Sequence, residues 1–335
     1  MSILSVHDLS VRFDTEDGPL QAVNEVAFDL EPGEVLAIVG ESGCGKSVTA
    51  MSLVGLLPDS ALVSGSAEFG GENLLACPPP QLRRVRGREI SFIFQDPMTS
   101  LNPVFTVERQ VGEVLRRHLG MSRRKARERT IELLGLVGIP APEQRLSQYP
   151  HQLSGGLRQR VMIAMAIACD PKVLIADEPT TALDVTIQAA VLDVLREVRE
   201  RLSMAIVLIT HDLGVVADIA DRVIVMYAGQ KVEEATVDEL FAHPQHPYTL
   251  GLLGAVPRIG TVAHNGSNGN GHRVRLAEIP GLVPALSGPP ECCPFAERCP
   301  RADEQSRAAM PPLEEIRPGH RVACFHPGEE GGEAA

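Results

Sequence analysis

The first forty residues alternate between apolar and polar positions, which is the period of β-strands with one buried face. "ILSVHDLSVRF" and "QAVNEVAFDL" show this alternation, and a Pro32-Gly33 turn then leads into the unbroken apolar run "EVLAIVG". The pattern predicts a small antiparallel sheet followed by one fully buried strand.

Two later apolar runs predict further buried strands, "KVLIAD" (172–177) and "MAIVLIT" (204–210). Helical periodicity extends from Ser47 to Leu57 and from Thr186 to Leu202. Strands that alternate with helices favour an α/β protein with a parallel sheet. A mostly helical pattern at about 96–160, before "KVLIAD", predicts an inserted helical subdomain.

The pattern is lost after about residue 260. Residues 261–273, "TVAHNGSNGNGHR", carry too little apolar surface to fold alone and predict a flexible linker. A small, irregular, Pro-rich and Cys-containing segment is expected at 274–327, followed by a disordered tail at 328–335.

Composition narrows the class of protein. The 335 residues carry a formal charge of −12, which disfavours generic binding to nucleic acid or to an anionic surface. The basic run Arg116–Arg129 is either a solvated helical face or a contact with a partner. No apolar stretch approaches the roughly 18 to 20 residues that span a bilayer, and no signal-peptide pattern is present. We therefore expect the chain to cross no membrane.

"GESGCGKS", Gly40 to Ser47, lies between a predicted strand and a predicted helix, where a phosphate-binding loop is found. Its glycines let backbone N–H groups surround a β-phosphate, Lys46 reaches the β- and γ-oxygens, and the Ser47 hydroxyl faces Mg²⁺. The predicted nucleotide contacts are Gly40, Ser42, Gly43, Cys44, Gly45, Lys46, Ser47 and Val48.

"VLIADEP" supplies two carboxylates at the end of a strand. Asp177 is placed to hold magnesium through water, and Glu178 to accept a proton from the attacking water. An acidic helix start after a buried strand is the alternative, and the phosphate-binding loop makes it much weaker.

"LSGGLRQR" is a second device for binding phosphate. Ser154 precedes two glycines at the start of a predicted helix, which presents bare amide donors and a positive helix end. One nucleotide seldom needs two γ-phosphate sites from one chain, so this one is expected to serve a nucleotide held by another subunit.

Together with Gln95, Asp184 in "TALD" and His211 in "ITHD", these elements resemble the ATP-binding-cassette family over about residues 1–240. The resemblance implies that two subunits close head to tail around ATP. It implies that Phe13 stacks on adenine, that Gln95 contacts magnesium and the attacking water, and that His211 holds the γ-phosphate and Glu178. The residues implied to complete the opposite subunit's site are Ser154, Gly155 and Gly156, with Asp184 beside the nucleotide. A satisfied histidine at a strand end is the alternative for His211.

Four stretches, one in the helical insertion and three near the C-terminus, resemble the importer branch of that family. "QDPMTSLNP" resembles the cleft that receives a short helix from the membrane subunit, although it can also be a loop punctuated by prolines. "HPQHPYTLGLLGAVP" (243–257), "IPGLVPAL" and "CPFAERCPRA" resemble the C-terminal extension of oligopeptide and dipeptide importer ATPases, which starts at about 241–260.

This second resemblance implies an ATP-hydrolysing subunit on the cytoplasmic face of the cell membrane. Its implied partners are two permease subunits, a second and non-identical ATPase subunit and, indirectly, an extracytoplasmic solute-binding protein, with no nucleic acid. A nickel importer of the same group is an alternative. A soluble cassette ATPase of DNA repair or translation is a weaker one, because only about 59 positions separate Gln95 from Ser154, too few for a coiled-coil arm.

The cysteines leave a question open. In several relatives the extension holds a four-iron-four-sulfur cluster through four cysteines. Five residues lie between the first and the second, six lie between the second and the third, and the fourth is distant. Cys293, Cys299 and Cys324 fit this spacing, but Ser306 occupies the third position and Cys292 is an extra thiol. Three outcomes remain: Cys292 replaces the missing ligand, Ser306 or another group does, or the cluster is lost. A zinc site with His326 and Asp303 is a further alternative.

Overall fold

The computed structural model describes residues 2–16, 18–95, 100–180, 184–255 and 279–328. The strands are β1 Leu4–Thr15, β2 Gly18–Leu30, β3 Val35–Val39, β4 Ala61–Phe69, β5 Glu72–Asn73, β6 Ile90–Ile93, β7 Val173–Asp177, β8 Ala205–Ile209, β9 Arg222–Tyr227, β10 Gln230–Thr236, β11 Leu313–Arg317 and β12 His320–Ala323. The helices are α1 Lys46–Leu53, α2 Pro79–Val85, α3 Val107–Leu119, α4 Arg123–Leu136, α5 Pro142–Arg145, α6 Gly155–Ala166, α7 Val185–Leu202, α8 Leu213–Ile219, α9 Val237–Ala242, α10 Pro247–Gly254 and α11 Glu304–Ala308.

The N-terminal strands form an antiparallel sheet in the order β2-β1-β4-β5, as the alternating pattern predicts. Buried residues recur on one face of β1 and β2, and they pack over α1 and the side of the second sheet. This sheet therefore covers the start of α1, where the glycine-rich loop ends.

The second sheet has the order β11-β12-β10-β9-β3-β8-β7-β6. Its central strands are parallel, and β3, β7 and β8 are buried at every position, as expected for strands with helices on both faces. The predicted strands and the helices after them are confirmed to within two or three residues, except that α1 ends at Leu53. The carboxyl ends of β3, β7 and β8 meet at one edge, where the candidate chemistry lies.

Helices α3 to α6 form the insertion that the sequence predicts. Thr106 and Ser122 cap α3 and α4 through side-chain oxygens that accept backbone N–H groups. The basic run lies on exposed faces of these two helices, where Arg127 pairs with Glu108 at 2.6 Å and Arg124 with Glu128 at 3.4 Å. These contacts agree with a solvated helical face.

The C-terminal segment is more regular than expected. Residues 313–323 form a β-hairpin whose strand β12 pairs with β10, so the segment extends the central sheet. The buried carboxylate of Glu233 on β10 accepts hydrogen bonds from the backbone N–H groups of Gln245 and His246 and lies 2.8 Å from His320 Nε2 on β12. Burial lowers the pKa of His320, but the hydrogen bond and charge of Glu233 outweigh it and raise the pKa overall. This contact joins the hairpin to the strand that carries Glu233.

Three sequence-based expectations concern residues outside the described ranges. The expected linker at 261–273 and nearly all of the expected tail at 328–335 lie there, as do residues 96–99 of "QDPMTSLNP". Within the part of the chain that the structure describes, no helix is both long and apolar enough to span a bilayer.

Candidate functional site

The glycine-rich loop connects β3 to α1, as the sequence predicts. Gly43 and Gly45 have φ of 83° and 95°, in the left-handed region that side chains disfavour. A Cβ atom on Gly45 would lie 2.3 Å from the carbonyl oxygen of Ala22, so the small sheet presses directly on the loop. Both constraints require glycine, and they fix the course of the backbone amides that would surround a phosphate.

Lys46 begins α1 and its side chain is buried beneath the loop, with 6% of the residue exposed. Its ammonium group donates to the carbonyl oxygens of Gly40 at 2.8 Å and Glu41 at 2.9 Å. The loop backbone therefore curves around a fixed positive charge, which is the arrangement that a polyphosphate chain requires.

Ser47 and Asp177 come together although 130 positions separate them in the chain. The Ser47 hydroxyl donates to Asp177 Oδ1 over 3.0 Å. Burial raises the pKa of Asp177, and the hydrogen bond from Ser47, which lowers this pKa, offsets the effect only in part. A hydroxyl and a carboxylate beside a phosphate site are the protein ligands that Mg²⁺ uses when phosphate oxygens and water complete its octahedron. These residues fit magnesium.

Glu178 lies at the centre of a three-residue contact. Gln95 Nε2 donates to Glu178 Oε2 at 2.8 Å, and His211 Nδ1 lies 3.0 Å from Glu178 Oε1. The Glu178 side chain is 13% exposed, whereas that of His211 is 59% exposed. The carboxylate is thus held from both sides at the edge of the sheet while the histidine faces outward.

The second phosphate-binding device lies in the helical insertion. Ser154 is exposed and caps α6 by accepting the N–H of Leu157, and the exposed Gly155 follows it. Gly156 is buried, and a Cβ there would approach Ile187 of α7 to 2.8 Å. Helix α6 packs on α3, α4, α7 and β6, whereas α1 packs on the small sheet and β7. This exposed helix start can face a second molecule.

Gln159 makes a contact that sequence reasoning missed. It lies one turn into α6, is 1% exposed, and donates to the carbonyl of Pro179, the residue after Glu178. The helix that carries Ser154 is thereby joined to the strand end that carries the carboxylates. A glutamine inside "LSGGLRQR" gives no sign of this partner, since Pro179 is twenty positions away.

The other predicted nucleotide contacts are distributed over the loop and α1, β1, and the start of α7. Asp184 is exposed and caps α7, its side chain accepting the N–H of Ile187 at 3.0 Å. Cys44 is fully buried, and Val48 is partly buried in α1. Phe13 is partly buried in β1, and its stacking on adenine stays a prediction. Ser42 is exposed at the tip of the loop.

Three of the four C-terminal thiols surround one small cavity. Cys293, Cys299 and Cys324 line a space of about 20 Å³. The sulfur of Cys299 accepts the N–H of Arg301 at 3.4 Å, and that of Cys324 accepts the N–H of His326 at 3.3 Å. Burial is the main cause that raises the pKa of Cys324 to about 11, so this thiol is neutral at pH 7.

The fourth position does not fit an iron-sulfur cluster. Ser306 also lines the cavity, but its hydroxyl oxygen accepts the N–H of Asp303 at 2.8 Å and donates to the Asp303 carboxylate. Asp303 in turn lies 2.9 Å from His326 Nε2. Cys292 is not among the residues that line the cavity. In this structure Ser306 is bonded to Asp303 and Cys292 lies outside the cavity lining, so the described donor set comprises three thiols.

The described residues do not support a zinc site either. Among the residues that the structure describes, no group of three or more His, Cys, Asp or Glu side chains is arranged to hold a metal ion. His326 and Asp303 are paired with each other, and they do not complete the thiol group.

We expect protein purified without oxygen to be colourless and to contain far less than one iron and one acid-labile sulfide per chain. The physical reason is that the donor set offers three converging thiols where such a cluster uses four. Elemental iron and sulfide analysis measures this. Iron bound adventitiously would be unchanged in a Cys293→Ser variant, whereas about four irons per chain that disappear with that substitution would contradict the expectation.

The fold and this edge of the sheet define an ATPase of the ATP-binding-cassette type. Residues 23–181 match the ABC transporter family, and residues 232–305 match the C-terminal region of oligopeptide and dipeptide transporters. A dipeptide transport ATP-binding protein, DppD of Bacillus subtilis, is 53% identical over 96% of this chain and 94% of its own length. The chain belongs to the family of ATP-binding subunits of oligopeptide and dipeptide ABC transporters.

Two other relatives give the same result. A probable peptide ABC transporter ATP-binding protein, y4tR of Sinorhizobium fredii, is 52% identical, covering 98% of this chain and 96% of the relative. The oligopeptide transport ATP-binding protein OppD of Salmonella typhimurium is 50% identical, covering 98% and 95%.

Solved structures agree over the cassette. The dimeric bacterial ABC transporter cassette MJ0796 matches with a TM-score of 0.63 and 27% identity, covering 70% of this chain and 98% of its own. The cbiO1 protein of Clostridium perfringens, part of the transporter complex cbiONQ, matches with a TM-score of 0.60 and 30% identity, covering 72% and 91%. The predicted fold class is confirmed.

Proposed function

We propose that this chain is the ATP-hydrolysing subunit of a binding-protein-dependent peptide importer, bound to the cytoplasmic face of two transmembrane permease subunits. The match of residues 232–305 to the C-terminal region of oligopeptide and dipeptide transporters carries the proposal. The names of the relatives, which cover nearly the whole chain, support peptide transport as the purpose of the ATPase.

The contacts of the site residues support a role for each. Lys46 and the amides of the glycine-rich loop bind the phosphates. Ser47 and Gln95 would contact magnesium, and Asp177 would hold it through water. Magnesium, when bound, neutralises charge that develops on the phosphate oxygens. Glu178 accepts the proton of the attacking water, and His211 holds the Glu178 carboxylate in position on its exposed side.

A second and non-identical ATPase subunit is the proposed partner across the nucleotide. The exposed start of α6 at Ser154 and Gly155 offers amide donors away from this chain's own loop. Closing two subunits on ATP would make its γ-phosphate a contact for both, so hydrolysis removes contacts from both partners.

An apolar groove beside Gln95 is the proposed docking site for a short cytoplasmic helix of a permease subunit. The groove encloses about 280 Å³ and is lined by Phe94, Leu56, Val114 and Met165 among others. Phe94 and Leu56 leave 43% and 38% of their surface exposed. Because Phe94 directly precedes Gln95, which contacts Glu178, a helix seated here lies one residue from a contact of the catalytic carboxylate.

We expect Phe94→Asp to reduce the permease recovered with this chain from detergent-solubilised membranes by about tenfold or more, since it places a charge at the centre of an apolar contact. The measurement is affinity purification followed by identification of the co-eluting chains. Leu62→Asp, which changes an apolar residue 50% exposed on β4, is the matched control and should leave recovery unchanged.

One outcome would overturn the importer function, and another would overturn only the proposed docking site. One is recovery of DNA or ribosomes with the unaltered chain and no membrane protein. The other is equal permease recovery with Phe94→Asp and with its control, which would reject this groove as the docking site.

A further inference from the structure

Arg298, within the stretch "ECCPFAERC", has a side chain whose hydrogen bonds are all satisfied. The side chain is 6% exposed. Nε donates to the carbonyl of Pro280 at 2.7 Å, Nη1 to Tyr227 Oη at 3.3 Å, and Nη2 to the carbonyl of Ile279 at 3.1 Å. With two further bonds to Glu41, all five guanidinium N–H groups have an acceptor.

Glu41 is the second residue of the phosphate-binding loop, 257 positions from Arg298. Both carboxylate oxygens accept a hydrogen bond from the guanidinium group. Nη1 donates to Oε2 at 2.7 Å, and Nη2 donates to Oε1 at 3.0 Å. This is the two-pronged geometry in which arginine binds a carboxylate most strongly, and a lysine cannot reproduce it.

Glu41 is also tied to the loop's function through its backbone. Its N–H donates to Tyr248 Oη at 2.7 Å, and its carbonyl accepts the Lys46 ammonium at 2.9 Å. Arg298 therefore lies two contacts from the lysine that binds phosphate. Phe295, three residues earlier, packs edge-on against Tyr227 at 5.1 Å, so the arginine projects from a packed base.

An acidic side chain in a loop that receives a polyanion needs a counter-charge. Without one, Glu41 would repel ATP and would be free to move the carbonyl that Lys46 contacts. The Glu41 side chain is 30% exposed, so loss of its partner also leaves a partly buried charge uncompensated.

We infer that Arg298 is a positioning residue for ATP binding: through Glu41, the C-terminal segment holds the phosphate-binding loop in the shape and charge state that accept ATP. The inference rests on the proposed role of Gly40 to Ser47 as the phosphate site. It deepens that role, since ATP affinity then depends on a segment outside the cassette. Arg298 acts through Glu41 and touches neither the phosphates nor the attacking water.

The test compares Arg298→Met with the double variant Arg298→Met, Glu41→Gln in the full chain, with ATP itself as the ligand. We expect Arg298→Met to raise KM for ATP about tenfold. The value of kcat should change less than about twofold, because ATP at saturating concentration stabilises the native conformation of the loop. The double variant removes the unpaired carboxylate, so its KM should return most of the way to the parental value. Arg298→Lys, which keeps the charge but not the two-pronged contact, should have a KM between those of the parent and Arg298→Met.

Arg307→Met is the matched control, since Arg307 lies in the same segment, is exposed, and reaches the Ala302 carbonyl only at 3.5 Å. Its KM should equal that of the parent. A purely structural role for Arg298 would lower the melting temperature without shifting KM, and the second substitution would restore nothing. If Arg298→Met does not fold, Arg298→Lys replaces it, because lysine keeps the charge but cannot form the two-pronged contact, and its KM should rise in the same direction.

An unchanged KM in Arg298→Met, or a double variant no better than the single one, overturns the inference. Lys46→Ala, measured in the same series, separates this from a failure of the proposed function. If Lys46→Ala also binds ATP like the parent, the assignment of the phosphate-binding loop is what has failed.

Discussion

Glu178→Gln is expected to slow ATP hydrolysis by about a hundred- to ten-thousand-fold while ATP binding stays largely intact, which is the range that general-base catalysis supplies. The amide keeps the size of the side chain and can keep the contacts with Gln95 and His211, both within 3.0 Å of the carboxylate. It cannot accept a proton from water. Single-turnover release of phosphate, together with equilibrium binding of ATP, separates the two effects.

Glu128→Gln is the matched control, because that carboxylate is 56% exposed on α4 and pairs with a neighbouring arginine at 3.4 Å, far from the loop in the helical insertion. It should hydrolyse ATP at the parental rate. Hydrolysis at the parental rate by Glu178→Gln itself would show that another group takes the proton.

Lys46→Ala is expected to weaken ATP binding about ten- to hundred-fold and to remove most of the remaining hydrolysis, because each hydrogen bond to a charged group contributes about 1.5–3 kcal/mol and about 1.4 kcal/mol corresponds to a factor of ten. The truncation also leaves the carbonyl groups of Gly40 and Glu41, now 2.8 and 2.9 Å from the ammonium, without this donor. Titration calorimetry with ATP and magnesium measures the affinity.

Lys172→Ala removes a lysine that is 63% exposed beside β7 and should bind ATP like the parent. ATP affinity within about twofold of the parent in Lys46→Ala would mean that the loop does not hold the phosphates by this charge. Loss of binding in both variants would instead indicate a general effect of removing positive charge from this protein.

The arrangement of the candidate nucleotide site could be predicted because it follows from one local motif and from the topology of a parallel sheet, whereas the roles of its residues stay predictions. The glycines of "GESGCGKS" indicate the backbone conformation, and the apolar run before them and the helical pattern after them indicate a strand-loop-helix order. Parallel strands bring their carboxyl ends to one edge, which is why the sequence alone places Asp177 and Ser47 together. The Glu178 contact with His211 is implied by the resemblance to the ATP-binding-cassette family, and the structure shows it at 3.0 Å.

The coupling between segments could not be predicted in the same way. Arg298 stands among cysteines and prolines with no periodic pattern, and its partner Glu41 is 257 positions away. The hairpin of β11 and β12 escapes prediction for a related reason. Four of the five residues of β11 are exposed, so the strand lacks the alternation that reveals a half-buried one. The cysteine spacing singles out Ser306, but the bonding of Ser306 to Asp303 is a matter of geometry.

The hairpin also determines which strand forms one of the two edges of the large sheet, the edge opposite β6. Strand β10 is buried along most of its length and would otherwise offer its free backbone groups to any other extended chain. With β12 paired to it, the border becomes β11, whose exposed residues include Glu314 and Glu315. Charged, short border strands resist pairing between molecules. The same hairpin that joins the C-terminal segment to the cassette therefore also disfavours strand pairing with another molecule at this border of the sheet.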